Sequence, residues 1–135
     1  MKPAIATSTR VETAFVLLGE RTDSIWLAKM SWRSRGTETS VLFNGERVLA
    51  REEAKGDVIG FYHTHPEGFT NPSGRDDKTM FAWSFCFGKP LLAVIATSAG
   101  LRAWIYNAND ESRQAVSSIV PFKGSWLVAV ESINA

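Results

Sequence analysis

Apolar residues along this chain fall in short blocks separated by turn-forming residues, and most blocks are rich in β-branched or aromatic side chains. Blocks of that length and make-up favour strands over helices. "TAFVLLG" (13–19) reads as a buried strand, the polar stretch to Ser24 as a turn, and "IWLAKMSW" (25–32) as the next strand. "SRGTETS" reads as a loop. In "VLFNGERVLA", Asn44-Gly45 stands between two apolar runs, which predicts a hairpin. "DVIGFYHTH" reads as a central strand stopped by Pro66, and "PEGFTNP" as a loop with two prolines and a glycine.

The period then changes. Met80, Trp83 and Phe87, with Phe81 and Phe85, recur at helical spacing, so a helix is predicted from Ser73 to Phe87. Ser73 is its N-cap, with Asp76 three residues on, and Gly88 and Pro90 end it. "LLAVIAT" (91–97) and "LRAWIYN" (101–107) read as strands joined by a short turn. "NDESRQAVSSIV" reads as a short helix capped by Asn109, and "SWLVAVESI" as a last strand. No repeat or linker divides the chain, so residues 1–135 are expected to form one α/β domain, a mixed sheet with helical cover. Phe61, Trp83 and Trp104 are expected in its core.

Composition narrows the function. The chain has 135 residues, 44% hydrophobic and 21% charged, with a net charge of +1 and no basic run. Nothing in that balance draws nucleic acid or an anionic membrane. No segment approaches the roughly 20 apolar residues that span a bilayer, and the N-terminal stretch is too short for a secretory core. A cytoplasmic protein is expected. The single cysteine, Cys86, lies between Phe85 and Phe87 and is expected to be a buried thiol.

Chemistry concentrates in "HTHPEGFTNPSGRD" (63–76). On a strand, side chains alternate, so His63 and His65 share a face and Thr64 points away. Two imidazoles one pleat apart can reach a common ion, and a catalytic zinc takes three protein ligands. Asp76, in the first turn of the following helix, is the nearest candidate for the third. Such a site would lower the pKa of a bound water and polarise a carbonyl. Hydrolysis further needs a base that is not a ligand and a donor to the oxyanion. Ser73, at the loop-to-helix junction, is placed for the second task. Spacing alone does not choose the base among fourteen acidic residues. Ser73 and Asp76 also make a capping box, a role that needs no metal. Asp77 and Glu67 are expected to face solvent, and Phe69 is a candidate substrate contact.

This stretch resembles the signature of the JAB/MPN (JAMM) metalloproteases, H-x-H, seven residues, S-x-x-D. "ETAFVLLG" (12–19) resembles the family's early strand, which opens on a catalytic glutamate and ends in glycine. The resemblance runs from Glu12 to about Tyr106. It implies a curved mixed sheet flanked by helices, of the cytidine-deaminase-like kind. It implies Zn2+ held by His63, His65 and Asp76, with Glu12 as general base and Ser73 as oxyanion donor. The implied substrate is a ubiquitin-like protein cleaved after its C-terminal glycine, its tail extended beside a sheet edge. The compact chain is similar to the prokaryotic branch, some of whose members are encoded beside E1-like and E2-like enzymes in antiviral operons. Others trim sulfur-carrier proteins. The family's helix before the Glu-bearing strand is absent, shortened or moved here, and a short substrate-facing hairpin is expected between Arg33 and Asp57. A non-catalytic MPN-type scaffold is the rival reading; such scaffolds usually lose a ligand or the glutamate, and this chain retains all of them.

Overall fold

In the computed structural model, residues 13–35, 45–65 and 71–132 are described. Strands β1 (Thr13–Thr22) and β2 (Ile25–Arg35) lead into helix α1 (Gly45–Lys55) and strand β3 (Val58–Thr64). Helix α2 (Gly74–Phe87) follows, then β4 (Leu91–Thr97), β5 (Gly100–Asn107), β6 (Ser112–Ala115), β7 (Ser118–Lys123) and β8 (Trp126–Val130). The strands form one mixed sheet in the order β6-β5-β4-β3-β1-β2-β8-β7, with β3 and β4 its parallel pair. As expected, the strand ending in the histidines is central.

The sheet curls, and chain connectivity forces it to. β6 and β7 sit at opposite ends of the strand order, yet only Val116 and Ser117 join them. In a flat sheet the two would lie about 33 Å apart, whereas that link reaches roughly 11 Å. The closure is hydrogen-bonded on both sides. Val116 N–H donates to Ala103 O of β5 at 3.0 Å, and Ser117 N–H to Val130 O of β8 at 2.8 Å.

Curling gives two cores from one alternation. The side chains turned into the curl include Leu17, Trp26, Ile59, Val94, Ile105 and Leu127. The opposite face presents Val16, Phe61, Ile95, Trp104 and Tyr106, and against it α1 packs Val48 and α2 packs Met80. β3 breaks this rule once, where its pairing with β1 shifts register between Val58 and Gly60: Val58 and Phe61 both face the helices while Ile59 and Tyr62 face the curl, and regular alternation holds from Phe61 on. His63 therefore emerges on the helical face. Gly60 lets β3 lie close to β4, because a Cβ there would stand 1.9 Å from Leu92 O.

Three expectations about elements need correction. The predicted hairpin turning at Asn44-Gly45 is overturned, because its second arm is α1, which begins at Gly45; residues 36–44, which the expected substrate-facing hairpin between Arg33 and Asp57 would use, lie outside the described residues. "ERVLAREEAK" is dense in strong helix formers, which outweigh the turn dipeptide. Gly56, with φ of 67°, ends the helix in the left-handed conformation. The predicted helix after Asn109 is instead a turn followed by β6 and β7. Polar side chains there serve the turn: Asn107 Oδ1 accepts from Asn109 N–H at 3.0 Å, and Asp110 Oδ1 from Ser112 N–H at 3.1 Å. Finally, Cys86 is exposed, as is Phe85 at 81%. The buried stripe of α2 runs through Met80 and Ser84, with Trp83 and Phe87 beside it, and residues 85 and 86 fall outside it. Phe61 and Trp104 are buried as expected, and Trp83 is partly buried against Phe61. Among the described residues, no helix is long and apolar enough to cross a membrane.

Candidate metal centre

The first turn of α2 is built by its capping box. Ser73 Oγ accepts from Asp76 N–H at 3.1 Å, and Asp76 Oδ2 accepts from Ser73 N–H at 2.8 Å. This reciprocal pair satisfies two of the orphan donors at a helix start. It also fixes the rotation of the Asp76 carboxylate, which is thereby presented to the end of β3.

There it meets both histidines. Asp76 Oδ2 lies 3.0 Å from His65 Nε2, and Asp76 Oδ1 lies 3.4 Å from His63 Nε2. The two Nε2 atoms are 2.9 Å apart. The His63, His65 and Asp76 side chains are 13%, 10% and 18% exposed, so the cluster is largely enclosed. Burial would push the Asp76 carboxyl up. Hydrogen bonds from both imidazoles, the charge of His63 and the Ser73 N–H outweigh it and hold the group well below the usual carboxylate range. Asp76 is thus an anion facing two nitrogen donors.

The residues suit a metal ion. Their ligand atoms gather into one group. Atoms bound about 2.0–2.1 Å from a four-coordinate zinc stand roughly 3.3 Å apart; the three contacts here run from 2.9 to 3.4 Å. Two imidazole nitrogens that face each other must share either a proton or a cation. Two neutral imidazoles and one carboxylate form the nitrogen and oxygen donor set that zinc accepts.

Ser73 is exposed beside the cluster. Its oxygen accepts from the Asp76 N–H, and a hydroxyl that accepts still has its own proton to donate. Glu12, Glu67 and Phe69 lie outside the described residues. Thr13, which follows Glu12 in the chain, donates from its N–H to Thr64 Oγ1 at 2.9 Å. Ala14 pairs directly with His63. The register thus brings the start of β1 alongside the histidine end of β3.

Asp77, expected to face solvent, is half-buried and paired. Tyr106 Oη donates to Asp77 Oδ1 at 2.6 Å, and Arg113 Nη1 donates to both carboxylate oxygens at 2.8 and 3.0 Å. The Tyr106 phenol is pushed up, first by burial and then by the Asp77 carboxylate, so it stays a protonated donor. Its side chain also packs edge-on against Phe81, one helical turn beyond Asp77. Sequence reading missed this network because Arg113 was assigned to a helix; on a strand it stands opposite Tyr106.

Among curated proteins no match to the chain is found. The family model for prokaryotic homologs of the JAB domain matches residues 5–107. That span carries the histidine strand, the capped helix start and the glutamate-bearing segment, which is where the resemblance of the motif had pointed. With most of its length matched and a curled mixed sheet carrying that motif on its helical face, the chain belongs to the prokaryotic homologs of the JAB domain.

Proposed function

We propose that this chain is a zinc-dependent peptidase or isopeptidase that cleaves after the C-terminal glycine of a ubiquitin-like protein. The observation that carries the reading is the convergence of His63, His65 and Asp76 ligand atoms in one largely enclosed group. Zinc bound there supplies a Lewis acid that polarises the scissile carbonyl and makes water a stronger acid. Glu12 is assigned as the base that takes the proton from the attacking water and returns it to the leaving amine. Ser73 is assigned as hydrogen-bond donor to the oxyanion, a role its spare hydroxyl proton allows.

The far stretch of β2 is assigned to an extended tail. β8 pairs with β2 only over Ile25–Lys29, whereas β2 continues to Arg35. Among the described residues no strand pairs with that continuation on the side away from β1. Ala14 pairs with Ser34 on one side and with His63 on the other, so this open edge lies two strand spacings, about 10 Å, from the histidines. A stretch of β2 so near the site, and unpaired on that side among the described residues, supports strand addition by a glycine-ended tail.

The test is cleavage of a ubiquitin-like fusion and of a lysine conjugate by the wild type, Glu12→Ala, His63→Ala and chelator-treated protein. Turnover in the first alone is expected. Equal turnover in the wild type and the chelated or Glu12→Ala protein would remove the hydrolase reading. Stoichiometric metal without turnover on any conjugate would favour a binding scaffold.

A further inference from the structure

The geometry points to Asp77, Tyr106 and Arg113 as a positioning latch that sets the metal-binding orientation of Asp76. This inference rests on the metal-centre reading above and extends it to residues that touch no ligand atom.

The first turn of α2 must satisfy two demands at once. Asp76 has to face the histidines of β3, and the turn that carries it has to stay at one height along the sheet. The capping box sets the carboxylate's rotation relative to Ser73, but both partners of that box belong to the same turn. It cannot fix the turn relative to β3. The following residue does so. Successive helix residues differ by about 100° in direction, so with Asp76 aimed at β3, Asp77 is aimed elsewhere. It reaches β5 and β6, where Tyr106 and Arg113 stand directly opposite each other and both donate to its carboxylate. β5 is joined to β3 through β4, by paired backbone on both sides. The sheet thereby becomes a rigid gauge between the latch and the histidines, and adjacent aspartates span it.

The parts suit a latch. Tyr106 is fully buried and offers one donor in a fixed direction. Arg113 Nη1 sits between the two carboxylate oxygens and adds a charge-assisted bond to the group. Phe81, on the next turn, closes against the tyrosine ring and holds the same helix face. Partners that orient a metal-binding carboxylate typically change metal affinity 10–100-fold when removed.

The test uses the full chain with His63 and His65 as reporters, since they are its only histidines and their ring nitrogens give an uncluttered imidazole spectrum. Wild type, Tyr106→Phe, Asp77→Asn, Arg113→Ala and Arg113→Lys are compared. Arg51→Ala, which breaks an ion pair between α1 and Asp57, controls for general destabilisation. Each metal-free protein is recorded by imidazole NMR, and Co2+ affinity and visible absorption are measured in chelator competition. Tyr106→Phe keeps the ring packing and loses one hydroxyl, so it tests the latch even if Arg113→Ala fails to fold. The expected result is about 10-fold weaker Co2+ binding and an altered absorption band in Tyr106→Phe and Asp77→Asn. Displaced imidazole signals before metal is added, with partial recovery in Arg113→Lys and no effect in Arg51→Ala, are also expected. Wild-type affinity and spectra in folded Tyr106→Phe and Asp77→Asn would overturn the latch while leaving the metal centre intact. Failure of the wild type to bind Co2+ would instead remove the metal centre, and the latch with it.

Discussion

His63 Nε2 lies 2.9 Å from His65 Nε2, so two side chains one pleat apart on a strand end converge rather than run parallel. Two imidazoles this close gain from a shared cation, and a cation that binds only the folded state stabilises it. Zinc at about 100 times its dissociation constant is therefore expected to add about 2.7 kcal/mol to the unfolding free energy. His63→Ala and Asp76→Ala should lose that increment. Denaturant melts with and without zinc check this, and an equal zinc-dependent gain in the variants would place the ion elsewhere.

Ser73 combines two roles that substitution can separate. Its oxygen caps α2 through the Asp76 N–H, and its proton is assigned to the oxyanion. Ser73→Ala should lose about 1 kcal/mol of stability from the cap and about 10²–10³-fold in kcat from the donor. Ser73→Asp restores an N-cap acceptor but adds no donor at neutral pH. It should recover stability and leave kcat low. Recovery of both would show that the serine acts only through the helix.

The parts of this molecule that were legible in the sequence are those where one local signal agrees with its surroundings. "DVIGFYHTH" has strand formers throughout and a proline stop, and it folds as the strand β3, while Ser73 and Gly88 cap α2 as their residue types suggest. The convergence of His63, His65 and Asp76 follows from those two elements meeting. What escaped was decided at a distance. Asn44-Gly45 carries a turn signal, but the helix formers after it dominate. The 109–120 segment has polar residues that suit either a helix cap or a turn, and the choice falls to Ala103 and Val130, which bond the link between β6 and β7. Asp77 was misread for the same reason, since its partners belong to those strands.

Gly60 is expected to be irreplaceable. Its Cα faces the Leu92 carbonyl across the parallel pair, and an added Cβ would meet that backbone rather than the yielding end of a side chain. Gly60→Ala should cost about 3 kcal/mol or more and shift the β3 end that carries His63. Urea unfolding checks the first part and imidazole NMR the second. A loss within about 0.5 kcal/mol, the range of neutral surface changes, would mean that β3 and β4 lie farther apart than the register implies.

Glu131, just past β8, ties the end of β1 and the start of β2 together. Its carboxylate accepts from Trp26 Nε1 at 2.7 Å and from Arg21 Nη2 at 3.0 Å. The Arg21 hydrogen bond, against an opposing effect of burial and with help from Trp26, lowers its pKa in the folded state. The unfolded chain then binds a proton at higher pH than the folded one. The resulting stability is fully present above the unfolded value of about 4.3 and is lost as the pH falls through the lower folded value. Glu131→Gln should therefore be less stable than wild type at pH 7, by about 1 kcal/mol given the exposure of Arg21. The gap should hold down to about pH 5 and close in stronger acid. Urea melts at pH 7, 5, 4 and 3 measure it. A gap that stays constant into acid would trace the loss to packing around Trp26, because packing does not titrate.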